Sequence, residues 1–447
     1  MKIYLIGIAG TAMGAFAGLL KQAGYQVTGS DAATYPPMDK KLADWGIEVK
    51  TPYAAKNLTP DIDWVVVGNV VSKNHVEVQE VQRLGLKYKS FPETLSELFL
   101  NRQKSIVATG THGKTTISAL LAHTLTHAGQ DPSFLIGGIP RNFEESFHLG
   151  QGDYFVLEGD EYDTAYFDKG PKFLHYQPYY LLCSSLEYDH ADIYQNVEEI
   201  IERFAQVIAL VPKNGFVVLN TQFPYLLKAL EKSDLKARLI KYAEPENIHE
   251  SQEGLKFEID GKPIFVPLSG RHNAQNALGC YRILEAAGLS HEQIKAGFAS
   301  FAGVKRRLEV VGEKNGITVI DDFAHHPTAV KTTLEGAHQR YAGRPLWALF
   351  EPRSASSCRK IFQDDYAKSF DVADRVLLAP PGRHLDPSIM LDIKQLARDM
   401  GPKATACDSY EQIIHIVKAE LSPKSVLLCM SNGSFGGIHH KLLEVIG

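Results

Sequence analysis

Short apolar runs that end at a glycine or an acidic residue recur along the chain, and most are followed by a stretch whose apolar residues fall three and four apart. Ile3 to Ile6 runs into the turn Gly7 to Gly14 and then a helical pattern to about Ala23; Gln26 to Ser30 ends in Asp31, and Trp64 to Gly68 gives a third run. Ser105 to Ala108 precedes the helical set Ile117, Leu120, Leu121 and Leu125, closed by Gly129. Further runs are Tyr154 to Leu157, Tyr180 to Cys183, Ile317 to Asp321 with a helix after Pro327, Leu346 to Phe350, Arg375 to Ala379, and Val426 to Met430 with a helix to Ile446. Unbroken apolar runs of this length read as strands buried on both faces, and the intervening periodicity reads as helix. Strands alternating with helices predict an α/β chain with parallel sheets. Polar hinges at Asn101 to Lys104 and Lys305 to Arg307 divide it into segments 1–102, 103–307 and 308–447.

Composition narrows the function classes. The 447 residues carry 47 basic and 52 acidic side chains, a net charge of -5, which gives no surface for a polyanion and argues against nucleic acid. The five cysteines are scattered without a C-x-x-C pair, as expected of buried thiols in a reducing compartment. Met1 leads directly into a strand and no apolar run is long enough for a bilayer, so a cytoplasmic protein with no membrane partner is expected; oligomeric state is not legible.

The densest chemistry lies in Ala108-Thr109-Gly110-Thr111-His112-Gly113-Lys114-Thr115-Thr116, between a predicted strand and a predicted helix. Gly110 and Gly113 let backbone N–H groups turn inward, Lys114 places a cation on the β/γ-phosphates, and the Thr115 hydroxyl suits Mg²⁺. Ala108 stands where the general phosphate-loop pattern has its first glycine. The bland alternative is a glycine-rich turn without a nucleotide. At the N-terminus the glycines are spaced G-x-x-G-x-x-x-G, so the dinucleotide fingerprint is unmet, and a different nucleotide diphosphate fits the Gly7 turn better than NAD.

Three more constellations bear on chemistry. Glu158-Gly159-Asp160-Glu161-Tyr162-Asp163 and Glu187-Tyr188-Asp189-His190-Ala191-Asp192 each follow a strand, where open parallel sheets bind ligands. With Thr115 they offer hard oxygens and one imidazole, suited to Mg²⁺; the alternative is a solvated acidic loop. In Arg271-His272-Asn273-Ala274-Gln275-Asn276-Ala277, Asn273 and Asn276 share a helix face and could match adenine, or Asn273 could simply cap the helix. Arg307 with Asp321-Asp322-Phe323-Ala324-His325-His326-Pro327 joins a guanidinium to carboxylates and a His pair; adjacent histidines point apart, which disfavours joint chelation.

These four motifs together resemble the ATP-dependent Mur ligases of peptidoglycan metabolism, in order and over essentially the whole chain. The resemblance implies a Rossmann-like N-terminal domain, a central P-loop ATPase domain and a Rossmann-like C-terminal domain. Within the family it is to the branch acting on UDP-N-acetylmuramate. Gly10 to Gly14, Glu161 to Lys169, Glu351 to Ser354 and Ser431 to His439 resemble the tripeptide-adding rather than the L-alanine-adding members. The implied peptide is L-alanyl-γ-D-glutamyl-meso-diaminopimelate, joined at the cost of ATP.

The resemblance also implies a division of labour. Gly7, Gly10, Thr11, Gly14, Asp31 and Asn69 would hold the UDP group. Gly110, Thr111, His112, Gly113, Lys114, Thr115, Thr116, His272, Asn273, Asn276, Arg307 and Asp322 would hold ATP, and Thr115, Glu158 and His190 would ligate Mg²⁺. Lys114, His190 and Arg307 would act in catalysis, and Arg353, Ser431 and Asn432 would bind the peptide, although Arg353 also reads as a solvated surface arginine. Ser185 stands where the family usually carries Asn, so a water-mediated bond is expected there. No lysine follows His190 before Lys213, so no carbamylated lysine is expected.

Overall fold

A computed structural model describes residues 1–446. The chain forms two compact units, one of residues 1–187, 197–243 and 279–297, the other of residues 188–196, 244–278 and 298–447.

The first unit holds two larger sheets and a two-stranded antiparallel one, Asp163–Ala165 with Asp168–Pro171. In the N-terminal one, five parallel strands lie in the order Glu48–Lys50, Gln26–Ser30, Lys2–Ile6, Trp64–Val67, Tyr88–Ser90. The helix Thr11–Gln22 follows the first strand as the apolar spacing predicts, with Phe16, Leu19 and Leu20 buried. The second sheet has seven strands in the order Arg238–Tyr242, Phe216–Asn220, Tyr180–Cys183, Lys104–Thr109, Tyr154–Gly159, Ser133–Leu135, Phe147–His148. Only its last pairing is antiparallel.

The second unit is built on a six-stranded sheet in the order Glu309–Lys314, Ile317–Asp322, Val426–Met430, Leu346–Phe350, Arg375–Leu378, Ala404–Ala406. Its apolar runs are continuous because both faces are covered. Along Val426–Met430, Val426, Leu428 and Met430 enter one core with Leu334, Tyr366 and Phe370, while Leu427 and Cys429 enter another with Ile413, Phe435 and Leu442. The two central strands, Leu346–Phe350 and Val426–Met430, are accordingly apolar and buried along their whole length.

Parallel pairing does not extend throughout the chain. The edge strand Glu309–Lys314 runs antiparallel to Ile317–Asp322, and a separate antiparallel sheet of Glu246–Ser251, Gly254–Ile259 and Lys262–Val266 was not foreseen. All five cysteines are free and buried, as their apolar settings predict. Among the described residues no helix is long and apolar enough to cross a membrane.

One buried carboxylate organises the N-terminal sheet. Glu77, fully enclosed, accepts bonds from the Tyr4 hydroxyl (3.3 Å), the Asn57 amide (2.8 Å), the Ala54 N–H (3.1 Å) and the Ser30 hydroxyl. A buried charge is tolerated only when its acceptor sites are filled, and removing it strands every donor. Glu77→Ala is therefore expected to cost about 3 kcal/mol in the transition that reports residues 1–102, and Glu77→Gln less, since an amide oxygen still accepts. Calorimetry or denaturant titration of both variants checks this; a parent-like transition in Glu77→Ala would refute it.

Candidate functional site

In the first unit, parallel register brings three strand ends together. Thr109 pairs with Cys183 on one side and Gly159 on the other, and Ala108 pairs with Glu158. The loop Gly110 to Gly113 leaves the middle strand at that edge and enters the helix Lys114–His127, with Gly113 at φ 85° as its cap. Gly110 sits at φ 141°, and a Cβ there would lie 2.2 Å from the Ser184 hydroxyl oxygen, so both conformation and space demand glycine. The next strand's end fixes the loop. Ser184 donates to the His112 carbonyl (2.7 Å), the Thr111 N–H donates to the Ser185 carbonyl (3.2 Å), and the Thr111 hydroxyl accepts the Glu187 N–H (2.8 Å). The Ser185 hydroxyl accepts the His112 N–H directly at 2.8 Å.

Lys114 lies at this edge with its ammonium 2.7 Å from both the Gly110 carbonyl and Glu161. Burial alone would lower its pKa, but Glu161, Asp160 and Glu158 outweigh that and hold it above the ordinary lysine value. The lysine is charged at any working pH. Thr115 donates to Glu158 at 3.2 Å, and the other Glu158 oxygen accepts the Gly137 N–H at 2.7 Å. A hydroxyl beside an oriented carboxylate at a phosphate loop is the hard-oxygen set that Mg²⁺ takes. Glu158 and Gly159 belong to the strand itself rather than to the turn beyond it. Neither Glu161 as the lysine's partner nor Gly137 as the Glu158 support was singled out from sequence, because both depend on partners more than 20 residues away.

The N-terminal turn is ordered in the same unit. The Gly7 and Ile8 N–H groups donate to the Ser30 carbonyl (2.9 and 3.1 Å), and Asp31 accepts the Ala9 N–H (2.9 Å), the Ala32 N–H (2.8 Å) and the Tyr53 hydroxyl (3.1 Å). Asp31 thus shapes the turn as well as standing beside it. Thr11 opens the helix with Gly10 as its cap and no side-chain bond to it, which suits an anion there. A Cβ on Gly14 would meet the Met38 methyl at 2.1 Å, while Asn69 is exposed in the turn two residues beyond the strand Trp64–Val67.

In the second unit, Asn273 is not the helix cap. The helix Arg271–Ala286 begins two residues earlier; Asn273 donates back to the Ser269 carbonyl at 2.7 Å and accepts from Asn276 at 3.1 Å, so the two carboxamides share a face as the spacing predicts. The turn before them is held by Glu250, which accepts the Gly270 N–H at 2.6 Å. A Cβ on Gly270 would lie 2.5 Å from the His272 ring.

Residues 188–196 belong to this unit too. His190 has φ 55°, and its N–H donates to buried Asp189 at 2.7 Å. Burial would raise the Asp189 pKa, but the His190, His325 and His326 rings and the Ser356 hydroxyl hold it well below the usual carboxylate range. His326 accepts the Thr328 N–H, capping the helix Pro327–Arg340, and its other nitrogen faces the Tyr188 carbonyl at 3.3 Å. His325 instead meets its own Phe323 carbonyl at 3.0 Å, so the two rings diverge as expected of neighbours.

Arg307 sits between two non-glycine residues in the left-handed region, Arg306 at φ 60° and Leu308 at φ 47°. Asp322 accepts the Leu308 N–H (2.7 Å) and Glu309 accepts the Arg306 N–H (2.8 Å), fixing the segment. Asp322 is fully enclosed, and burial lifts its pKa against the pull of Arg307. Its carboxylate positions the arginine segment.

Beyond the strand Leu346–Phe350, Glu351 is wholly buried and accepts from Arg353 (3.2 Å) and from the Tyr410 and Ser431 hydroxyls. Burial and the Glu351 carboxylate push Tyr410 up to about 12. Arg306 crosses the same turn, donating to the Ser431 carbonyl at 2.7 Å and to Asp321 at 3.1 Å. The Asn432 carboxamide oxygen is buried in that turn with no donor. Glu351, Tyr410 and Arg306 were not singled out as site residues from sequence.

Comparison with known proteins agrees over the whole length. The Mur ligase family catalytic domain matches residues 2–103, the Mur ligase middle domain residues 108–284, and the Mur ligase glutamate ligase domain residues 306–433. The UDP-N-acetylmuramate–L-alanyl-γ-D-glutamyl-meso-2,6-diaminoheptandioate ligase of Escherichia coli K12 is 36% identical, covering 99% of this chain and 98% of its own. The crystal structure of a murein peptide ligase from Psychrobacter arcticus 273-4 superposes with a TM-score of 0.73 at 34% identity, over 100% of this chain and 99% of that one. The UDP-N-acetylmuramate–L-alanine ligase of Clostridium acetobutylicum is 30% identical over 97% of this chain and 95% of its own. The chain belongs to the Mur ligase family.

Proposed function

We propose that this chain is an ATP-dependent ligase that joins the carboxylate of UDP-N-acetylmuramate to the α-amine of L-alanyl-γ-D-glutamyl-meso-diaminopimelate, a step of peptidoglycan recycling. The observation that carries the reading is the phosphate loop, with Lys114 paired to Glu161 and the Thr115 hydroxyl bonded to Glu158, in a chain whose tripeptide-ligase relatives are more similar than its alanine-ligase ones. In this reading residues 1–102 hold the UDP group, 103–307 hold ATP and 308–447 receive the peptide. Because ATP and a UDP-sugar are both consumed, the cytoplasm is its place.

A carboxylate is a poor electrophile, since expelling oxide from it is prohibitive. Transfer of the ATP γ-phosphoryl to the muramate carboxylate gives an acyl phosphate and ADP. The neutral peptide amine then adds to the acyl carbon, the C–O bond to phosphate breaks, and the amine proton leaves to solvent or a nearby base. Both steps concentrate negative charge on phosphoryl oxygens, so positioning and neutralisation dominate the catalysis. Lys114 supplies a fixed cation, the loop N–H groups orient the phosphates, and Arg307 brings a second cation. Thr115 and Glu158 would hold one Mg²⁺ and His190 a second, and bound Mg²⁺ would supply charge neutralisation for the phosphates. His272, Asn273 and Asn276 take the adenine, and Arg353, Ser431 and Asn432 the peptide.

The test is product mass after incubation with ATP, Mg²⁺, UDP-N-acetylmuramate and either the tripeptide or L-alanine. The expected product carries the tripeptide, with ADP and phosphate released in step. Equal use of L-alanine would move the chain to the alanine-adding branch. Lys114→Ala is expected to cut ligation by about a thousandfold, as for loss of a preorganised charge-stabilising group. Adding Glu161→Gln removes the carboxylate it would strand, and that double variant should stay inactive; near-parent turnover in either would refute the ATP assignment. Glu158→Gln should shift the Mg²⁺ titration of activity to higher concentration, and an unchanged titration would make Glu158 a structural residue only.

A further inference from the structure

Arg353 has an unusual bed. Its aliphatic stem lies across two glycines: a Cβ on Gly433 would fall 2.1 Å from the arginine Cδ and 2.3 Å from Nε, and one on Gly382 would fall 2.9 Å from Cγ. Neither glycine has a left-handed φ, so an alanine backbone would be unstrained at both; what these positions supply is space. The obstructing atoms belong to a long flexible side chain, so a methyl at residue 433 would move the arginine and leave the fold in place.

The guanidinium is pinned from its other end. Glu351 pairs with Nη1 at 3.2 Å, and its two oxygens also accept the Tyr410 and Ser431 hydroxyls, which keep that carboxylate from following a displaced partner. The backbone is fixed as well, the Arg353 N–H donating to the Ser357 hydroxyl oxygen and its carbonyl accepting from Arg383, each at 3.0 Å. With 43% of its side chain exposed, the arginine keeps most of its five donors for a ligand. The bland alternative, a solvated surface arginine, needs neither the slot nor the buried counter-charge.

We propose that Gly433, with Gly382, is a specificity-determining residue: the missing side chains form the slot that holds the Arg353 guanidinium where it reads the diaminopimelate carboxylate of the peptide, with Glu351 as its positioning residue. The inference rests on the tripeptide reading above.

The experiment compares L-alanyl-γ-D-glutamyl-meso-diaminopimelate with L-alanyl-γ-D-glutamyl-L-lysine, which lacks the far carboxylate, for the parent and for Gly433→Ala, Arg353→Ala, Glu351→Gln and the Gly433→Ala/Arg353→Ala pair. The parent should favour the diaminopimelate peptide by roughly ten- to hundredfold in kcat/KM, the worth of one charge-assisted fork. Gly433→Ala should lose most of that preference through KM, with kcat changed by less than about twofold and the lysine-peptide KM unmoved. The paired variant should be no worse than Arg353→Ala alone, since both remove one interaction. Glu351→Gln should act in the same direction without needing extra space, and it decides the matter if Gly433→Ala melts early. Retained preference in Gly433→Ala and Glu351→Gln, or additive losses in the pair, overturns the slot. A parent that ligates L-alanine as well as the tripeptide overturns the function reading instead.

Discussion

The parallel register of Lys104–Thr109 with its two neighbours is the constraint on which the phosphate loop and its surroundings depend. Because parallel strands present their carboxyl ends at one edge, pairing Ala108 with Glu158 and Thr109 with both Gly159 and Cys183 delivers a phosphate loop, an acidic strand end and a serine pair to one place. A slip of one residue would turn Glu158 to the opposite face and take its carboxylate away from the Thr115 hydroxyl. The apolar runs fix that register, since every residue of Ser105–Thr109 is buried. Packing thus sets the chemistry's geometry before any polar contact is made.

Buried and half-buried carboxylates then convert strand ends into shaped loops. Glu77 ties Ser30 and the 54–57 segment together, Asp31 bends the Gly7 turn, Asp322 fixes the 306–308 segment and Glu351 gathers Tyr410, Ser431 and Arg353. Each accepts two or more bonds from groups distant in sequence. That is the condition under which a carboxylate can sit inside a protein, and it makes each one an organiser of several loops at once.

This explains what the sequence revealed and what it hid. The long apolar strands, the helix after the phosphate loop and the Asn273–Asn276 face are local patterns of period or spacing, so they were legible. Ser185's direct bond, the Glu161 partner of Lys114 and the Glu351 cluster were not, because each is defined by a neighbour 47 to 80 residues away. The antiparallel strands 246–266 escaped for another reason. They carry polar residues such as Glu246, His249, Lys256 and Glu258 on a half-exposed surface, and their short apolar alternation is too sparse to stand out beside the runs of the three larger sheets. Gly433 was visible only as part of a glycine-rich turn; the slot it makes exists once Arg353 lies across it.

The segment around Arg307 shows which residues the fold treats as expensive to place. Two consecutive alternate residues, Arg306 and Leu308, take left-handed backbone angles that cost of order 1 kcal/mol each. A free loop would relax out of them. Here Glu309 holds the Arg306 N–H, Asp322 holds the Leu308 N–H, and the Arg306 side chain is anchored to Asp321 and to the Ser431 carbonyl. Four polar anchors for two strained residues leave Arg307 itself as the group being aimed, its guanidinium 5.0 Å from the Phe323 ring. Because Arg306 also fixes the turn that carries Ser431 and Gly433, the arginine proposed for the nucleotide and the slot proposed for the peptide share one scaffold. A change that loosens Arg306 should therefore disturb both ligands together, whereas a change at Glu351 should reach only the peptide.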